Sequence, residues 1–166
     1  MAAASIRVNR EWIATEFSKG IQAEQALESN AEASAASPPE PSLALLYHEI
    51  AAADARHRKI VETIATRYGY NPSPSSSPGI SGAIHRLRER VSSIGASPHQ
   101  RIEHDLLAKA SAVSWCTAWI QAFQAIGDAE SARQLAAIET EEKSHLAALQ
   151  EGLNRLIIQG ATGDAG

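Results

Sequence analysis

Asp54-Ala55-Arg56-His57 and Glu142-Lys143-Ser144-His145 each set a carboxylate and an imidazole three residues apart. On a helix that spacing brings both side chains to one face. Each pair interrupts an apolar seam. Leu43, Leu46 and Ile50 precede the first pair, and Val61, Ile64 and Tyr68 follow it. Leu135 and Ile138 precede the second, and Leu149, Gly152 and Leu156 follow it. A carboxylate or imidazole on a buried seam is costly unless it is paired. Two such pairs on facing helices could share the cost in either of two ways. Four oxygen and nitrogen donors of this kind suit iron, manganese or zinc. The same four groups also suit a hydrogen-bonded network without metal.

The elements that must position these pairs are helices. All the seams advance in steps of three and four, the spacing of antiparallel bundle helices. A further seam reads Ile102, Leu106, Lys109, Val113, Cys116, Ile120, Phe123. Near the N-terminus, Ile13, Phe17, Ile21, Glu24 and Leu27 form a vaguer one, and a face one residue over admits Glu16. Pro/Ser/Gly-rich stretches at 29–42, 70–82 and 95–98, with Gly127-Asp128, punctuate the chain. The pattern predicts long helices near 6–29, 42–69, 98–126 and 129–158, and a short helix near 82–94. A single domain, 1–158, would be followed by a flexible tail, 159–166.

Connection lengths set the topology. The first two helices are joined by a modest loop and the last two by a tight one, so each pair should be an antiparallel hairpin. About thirty residues separate the hairpins, enough to travel the length of a bundle and start the third helix parallel to the second. The expected fold is an all-α four-helix bundle of two hairpins joined by a long crossover.

Composition narrows the function classes. At 166 residues the chain is long enough for one domain with a real core. Net charge is −4 and the one locally basic stretch, 85–90, reads as a solvated helix face, so nucleic-acid binding is not expected. Cys116 is the only cysteine, which excludes an internal disulfide. Residues 110–127 carry no charge, but five Ser, Thr and Gln residues among them argue against a membrane span. Without an apolar signal segment the expected location is the cytoplasm. No nucleophile-base pairing, phosphate loop or cysteine-based metal motif is present.

Asp54-x-x-His57, Glu142-x-x-His145 and the long crossover together resemble the ferritin-like superfamily, in particular its small stress-associated and rubrerythrin-like bundles. The likeness covers about residues 6–158. Gly79-Ile80-Ser81-Gly82-Ala83-Ile84-His85-Arg86 is similar to a crossover stretch of some small ferritin-like proteins. The resemblance implies a ferritin-like bundle, a metal site between the helices, and a further Glu from the first helix and from the third. Glu16 and Glu24 are the first-helix candidates. The third-helix acid would stand about thirty-three residues before Glu142, and Lys109 stands there instead.

A cation at that position alters the chemistry. A two-iron site needs several carboxylates to neutralise and bridge two cations. Lys109 could serve as an internal counter-ion to Asp54 and Glu142, or it could snorkel to solvent. The expectation is an incomplete site, made from Asp54, His57, Glu142, His145 and Glu16 or Glu24, holding at most one iron, manganese or zinc ion weakly, or none. An active non-haem oxidase or peroxide scavenger, and a metal-free interaction bundle, are the competing readings. Trp115 and Trp119 form a second apolar stripe on the third helix, which points to a homodimer through that face.

Overall fold

The computed structural model describes residues 8–71 and 97–163. The described residues form an all-α four-helix bundle: α1 (Arg10–Ala36), α2 (Ala44–Arg67), α3 (Pro98–Ile126) and α4 (Ala129–Thr162), with a 3-10 turn (Pro41–Leu43) leading into α2. Helix ends follow local chemistry. The Asn9 side chain caps α1 by accepting from the Trp12 amide. Ser97 and Gln100 make a reciprocal capping box at α3, with Pro98 at the first helical position. Gly127 closes α3 at φ +81°, a conformation that a side chain resists, and Asp128 caps α4 by accepting from the Ser131 amide.

Cross-helix contacts fix the directions. Arg58 on α2 donates to Glu28 on α1 at 2.8 Å, and Arg10 reaches the Arg67 carbonyl, so α1 and α2 are antiparallel. Thr117 pairs with Glu139 and Lys109 with Glu142, so α3 and α4 are antiparallel as well. Tyr47 meets Asp105, Asp54 meets Lys109 and Tyr68 meets Phe123, so α2 and α3 run parallel. Two hairpins joined by a long connection is the expected topology. The short helix expected near 82–94 lies outside the described residues.

The apolar core has two halves. One is built around Phe17, Val61, Ile64, Phe123, Leu135 and Ile138. The other holds Leu43, Tyr47, Ile50, Ile102, Leu149 and Leu153. Asp54 and His57 fall in the α2 stretch between Ile50 and Val61, so the polar residues occupy the waist between the halves.

Two expectations are corrected. Helix α1 runs seven residues past position 29, because Ala31, Ala33 and Ala35 are strong helix formers and nothing stops the chain until Ser37-Pro38. Helix α4 continues through residues 159–162 to a left-handed Gly163, so the tail begins later than expected. The tryptophan stripe is covered within the chain. Trp119 is 8 % exposed and meets Phe17 at 4.7 Å between ring centroids, while Trp115 meets Phe17 at 5.1 Å. Gly20 admits Trp115, since a Cβ there would lie 2.7 Å from the indole. Helix α1 thus packs on both residues and leaves Trp115 part-buried.

Candidate functional site

At the waist, Glu24 from α1, Asp54 and His57 from α2 and Glu142 from α4 bring one donor atom each within 4.8 Å of one another, all buried. Lys109 from α3 enters the same space. It is 3 % exposed, so it does not reach solvent. Its ammonium donates to Asp54 Oδ1 at 2.5 Å and to Glu142 Oε1 at 3.0 Å, and lies 3.0 Å from Glu142 Oε2 as well. The counter-ion placement of Lys109 is the one adopted.

His57 is engaged at both ring nitrogens. Nδ1 lies 3.0 Å from Glu142 Oε1 and Nε2 lies 3.2 Å from Glu141 Oε2. Two carboxylate partners require two N–H donors, and only the imidazolium has both. Burial pulls the His57 pKa down. The hydrogen bond to Glu142 and the charges of Glu24 and Glu142 outweigh it, and the net direction is upward. The Lys109 pKa is likewise lowered by burial and raised further by Asp54 and Glu142, so the group stays cationic.

The acids divide. Burial would raise Glu142, but the His57 hydrogen bond and the Lys109 charge hold it below its ordinary value. Burial raises Glu24 to about 8, with the nearby charges of Glu142 and Asp54 adding to the shift. Asp54 rises to about 7, pushed up by burial and Glu142 against the pull of Lys109. The balance has a simple cause. Three carboxylates face two bases, so full ionisation leaves one negative charge uncompensated in the core. A proton removes it, and Glu24 is the natural holder because no cation pairs with it among the described residues.

The other expected residues stand apart. Glu16 is only part-buried and pairs with Lys19 on its own helix at 2.5 Å, so the first-helix acid of the cluster is Glu24. His145 is outside the four-donor group. Three residues beyond Glu142 is about 60° off its direction on a helix. There the ring is part-buried, its Nδ1 finds no partner, and burial together with Lys109 lowers its pKa. Glu141 was not anticipated. Its carboxylate, half-exposed at the edge, accepts from Arg56 at 3.0 Å as well as from His57. Arg56, directly before His57, is the only sequence signal for an acid there.

The residues fit a metal only in part. Glu24 Oε2 and Asp54 Oδ2 are buried without a hydrogen-bond partner, Glu142 Oε2 has only the Lys109 ammonium 3.0 Å away, and such atoms are costly unless something meets them. A two-metal centre does not fit. The Lys109 ammonium lies between two of the acids, and both His57 nitrogens are engaged by carboxylates. Among the described residues no helix is long and apolar enough to cross a membrane. Comparison of the chain with protein-family models, with curated proteins and with solved structures returned no match.

Proposed function

We propose that this is a ferritin-like bundle in which Lys109 takes the role of the metal. The polar cluster fixes helix register and the protein acts through binding, not through oxidase chemistry. The observation that carries this is the Lys109 ammonium seated between Asp54 and Glu142. A buried ion pair contributes little net stability, since desolvation offsets the attraction. It does penalise alternatives: any slip of α3 against α2 or α4 strands a charge in the core. The unpartnered carboxylate oxygens favour a second reading, one transition metal held weakly beside the lysine.

Elemental analysis after loading with Fe(II), Mn(II) and Zn(II) tests the proposal, with the His57→Ala/His145→Ala protein as control. The expected result is no metal above the control. About one equivalent per chain, lost in the control, would support the second reading. About two equivalents, with Fe(II) oxidation, would overturn the proposal in favour of an oxidase.

A further inference from the structure

A groove between α1 and α3 leads to the cluster from one side. Its volume is about 480 Å³, within the range of small-molecule sites. Small residues create it: Ala23 on α1 and Ala108 and Ala112 on α3 leave a hollow, which Leu27 and Trp115 line with apolar surface. Leu107 stands 70 % exposed at the rim, a large apolar side chain that nothing in the described residues covers. Glu24 belongs to both places. It contributes to the groove wall and to the buried cluster, is 3 % exposed, and has one carboxylate oxygen without a partner.

This combination selects a ligand chemistry. The apolar walls call for a hydrocarbon or aromatic body. The wall acid calls for a donor, and the charge of the cluster decides which kind. Glu24, Asp54 and Glu142 oppose only Lys109 and His57, one positive charge short of balance when all are ionised. A monocation at Glu24 can take the place of the proton that otherwise completes the set, whereas an anion would add to the excess. Trp115 adds apolar lining to the groove for the body of such a ligand.

We propose that the α1/α3 groove binds a small apolar amine, its ammonium paired with Glu24 and its body lying along Leu27 and Trp115. The inference rests on the reading of Lys109 as the permanent cation of the cluster, because a metal there would supply the missing charge.

The test uses 4-phenylbutylamine on the full-length protein. The alcohol and carboxylate of the same skeleton serve as uncharged and anionic counterparts. Calorimetry and tryptophan fluorescence report binding. The amine is expected to bind at least about tenfold more tightly than the alcohol, a difference one charge-assisted hydrogen bond supplies, and the carboxylate not at all. Glu24→Gln should erase the preference for amine and leave alcohol binding unchanged. Glu16→Gln, which alters the rim acid of the same groove, should leave the preference intact. Ala108→Phe fills the hollow and should weaken both ligands. Equal affinity for amine and alcohol, no binding of either, or a preference that follows Glu16 would overturn the proposal. The comparison of ligands on the unsubstituted protein decides this even if a variant fails to fold. Metal analysis of the same samples keeps the two readings apart. Two equivalents of metal would remove Lys109 as the cation, whereas absent amine binding in metal-free protein would overturn the groove site alone.

Discussion

Lys109→Met removes one charge and keeps nearly the same volume, so it isolates what the ammonium does. In the native cluster Lys109 is the direct ionic partner of Asp54 at 2.5 Å and one of two cations on Glu142. Without it three buried carboxylates face His57 alone. Breaking a buried pair from one side costs about 3–5 kcal/mol, because the stranded charge stays in the core. For a chain of this length that corresponds to a fall in Tm of roughly 6–20 °C. The loss should be smaller in acid, where the stranded carboxylates take up protons. Lys109→Met/Asp54→Asn removes both partners and should recover more than half the loss, giving a clear coupling energy in a double-mutant cycle. The single variant also leaves four donors within 4.8 Å with the ammonium gone from among them, and His57 can give up its proton to a metal. Mn(II) or Zn(II) should therefore stabilise it, by about 1.4 kcal/mol for each tenfold excess over Kd, while the native protein shows no such shift. Urea unfolding at pH 6 and pH 8, with and without metal, measures all of this. Unchanged stability of Lys109→Met, or equal metal stabilisation of the native protein, would refute the counter-ion role.

Three further outcomes are expected. Because the folded-state pKa of Glu24 is raised to about 8, the fold favours its protonated form; stability is fullest below the ordinary carboxylate range and falls as pH rises from about 4.5 to about 8. Glu24→Gln should thus unfold near the native Tm at pH 5 but several degrees above it at pH 8.5, and parallel melting curves at both pH values would show that Glu24 is not the proton holder. Gly20→Ala drives a Cβ against the rigid Trp115 indole at 2.7 Å and should cost about 1–3 kcal/mol in denaturant unfolding, whereas Gly152→Ala meets only the movable end of Leu43 at 2.9 Å and should change stability little, helix propensity offsetting the contact. Ser97→Ala deletes the capping box of α3 and should cost about 1 kcal/mol in the same assay.

What the sequence displayed depended on how sharply each helix separates its faces. In α2 every position of the seam from Leu43 to Tyr68 is buried or part-buried, because large aliphatic residues mark that face and charged ones the other. The same clarity put Lys109 between Leu106 and Val113, which is why a cation in the core could be read at all. Helix α1 is rich in alanine, and alanine fits either a buried or an exposed position, so Glu16 and Glu24 looked equivalent. The structure separates them through Ile13, Phe17 and Ile21: continuing that stripe by the helical step reaches Glu24, and Glu16 lies beside it. The tryptophan stripe is ambiguous for a related reason. Two apolar faces on α3 looked like one too many for a single core, yet Gly20 lets α1 approach closely enough to cover Trp115 as well as Trp119.

The remaining gap concerns charge, which spacing alone does not encode. Two carboxylate-x-x-imidazole pairs in register suggest a symmetric site, and the structure is asymmetric: His57 enters the cluster as a donor to two acids while His145 stays at its edge. Lysine explains the difference. Two metal ions between four helices would need both imidazoles as neutral ligands, drawn toward cations at the centre. The Lys109 ammonium shares Glu142 Oε1 with His57 Nδ1, at 3.0 Å each, and His57 stays because acids hold both of its nitrogens. Glu141 and Glu142 supply them to His57, whereas His145 Nδ1 has no partner at all. Burial lowers the pKa of His145 and Lys109 adds to the shift, whereas the raised pKa of His57 comes from Glu142, Glu24 and Glu141 against burial, and that of Glu24 from burial and the neighbouring acids against the pull of Lys109. Lys109→Glu should therefore raise the pKa of His145 and draw both imidazoles toward bound metal. NMR titration of the two histidines, followed with and without Zn(II), would show them shifting in concert if the lysine sets the asymmetry, and independently if the backbone does.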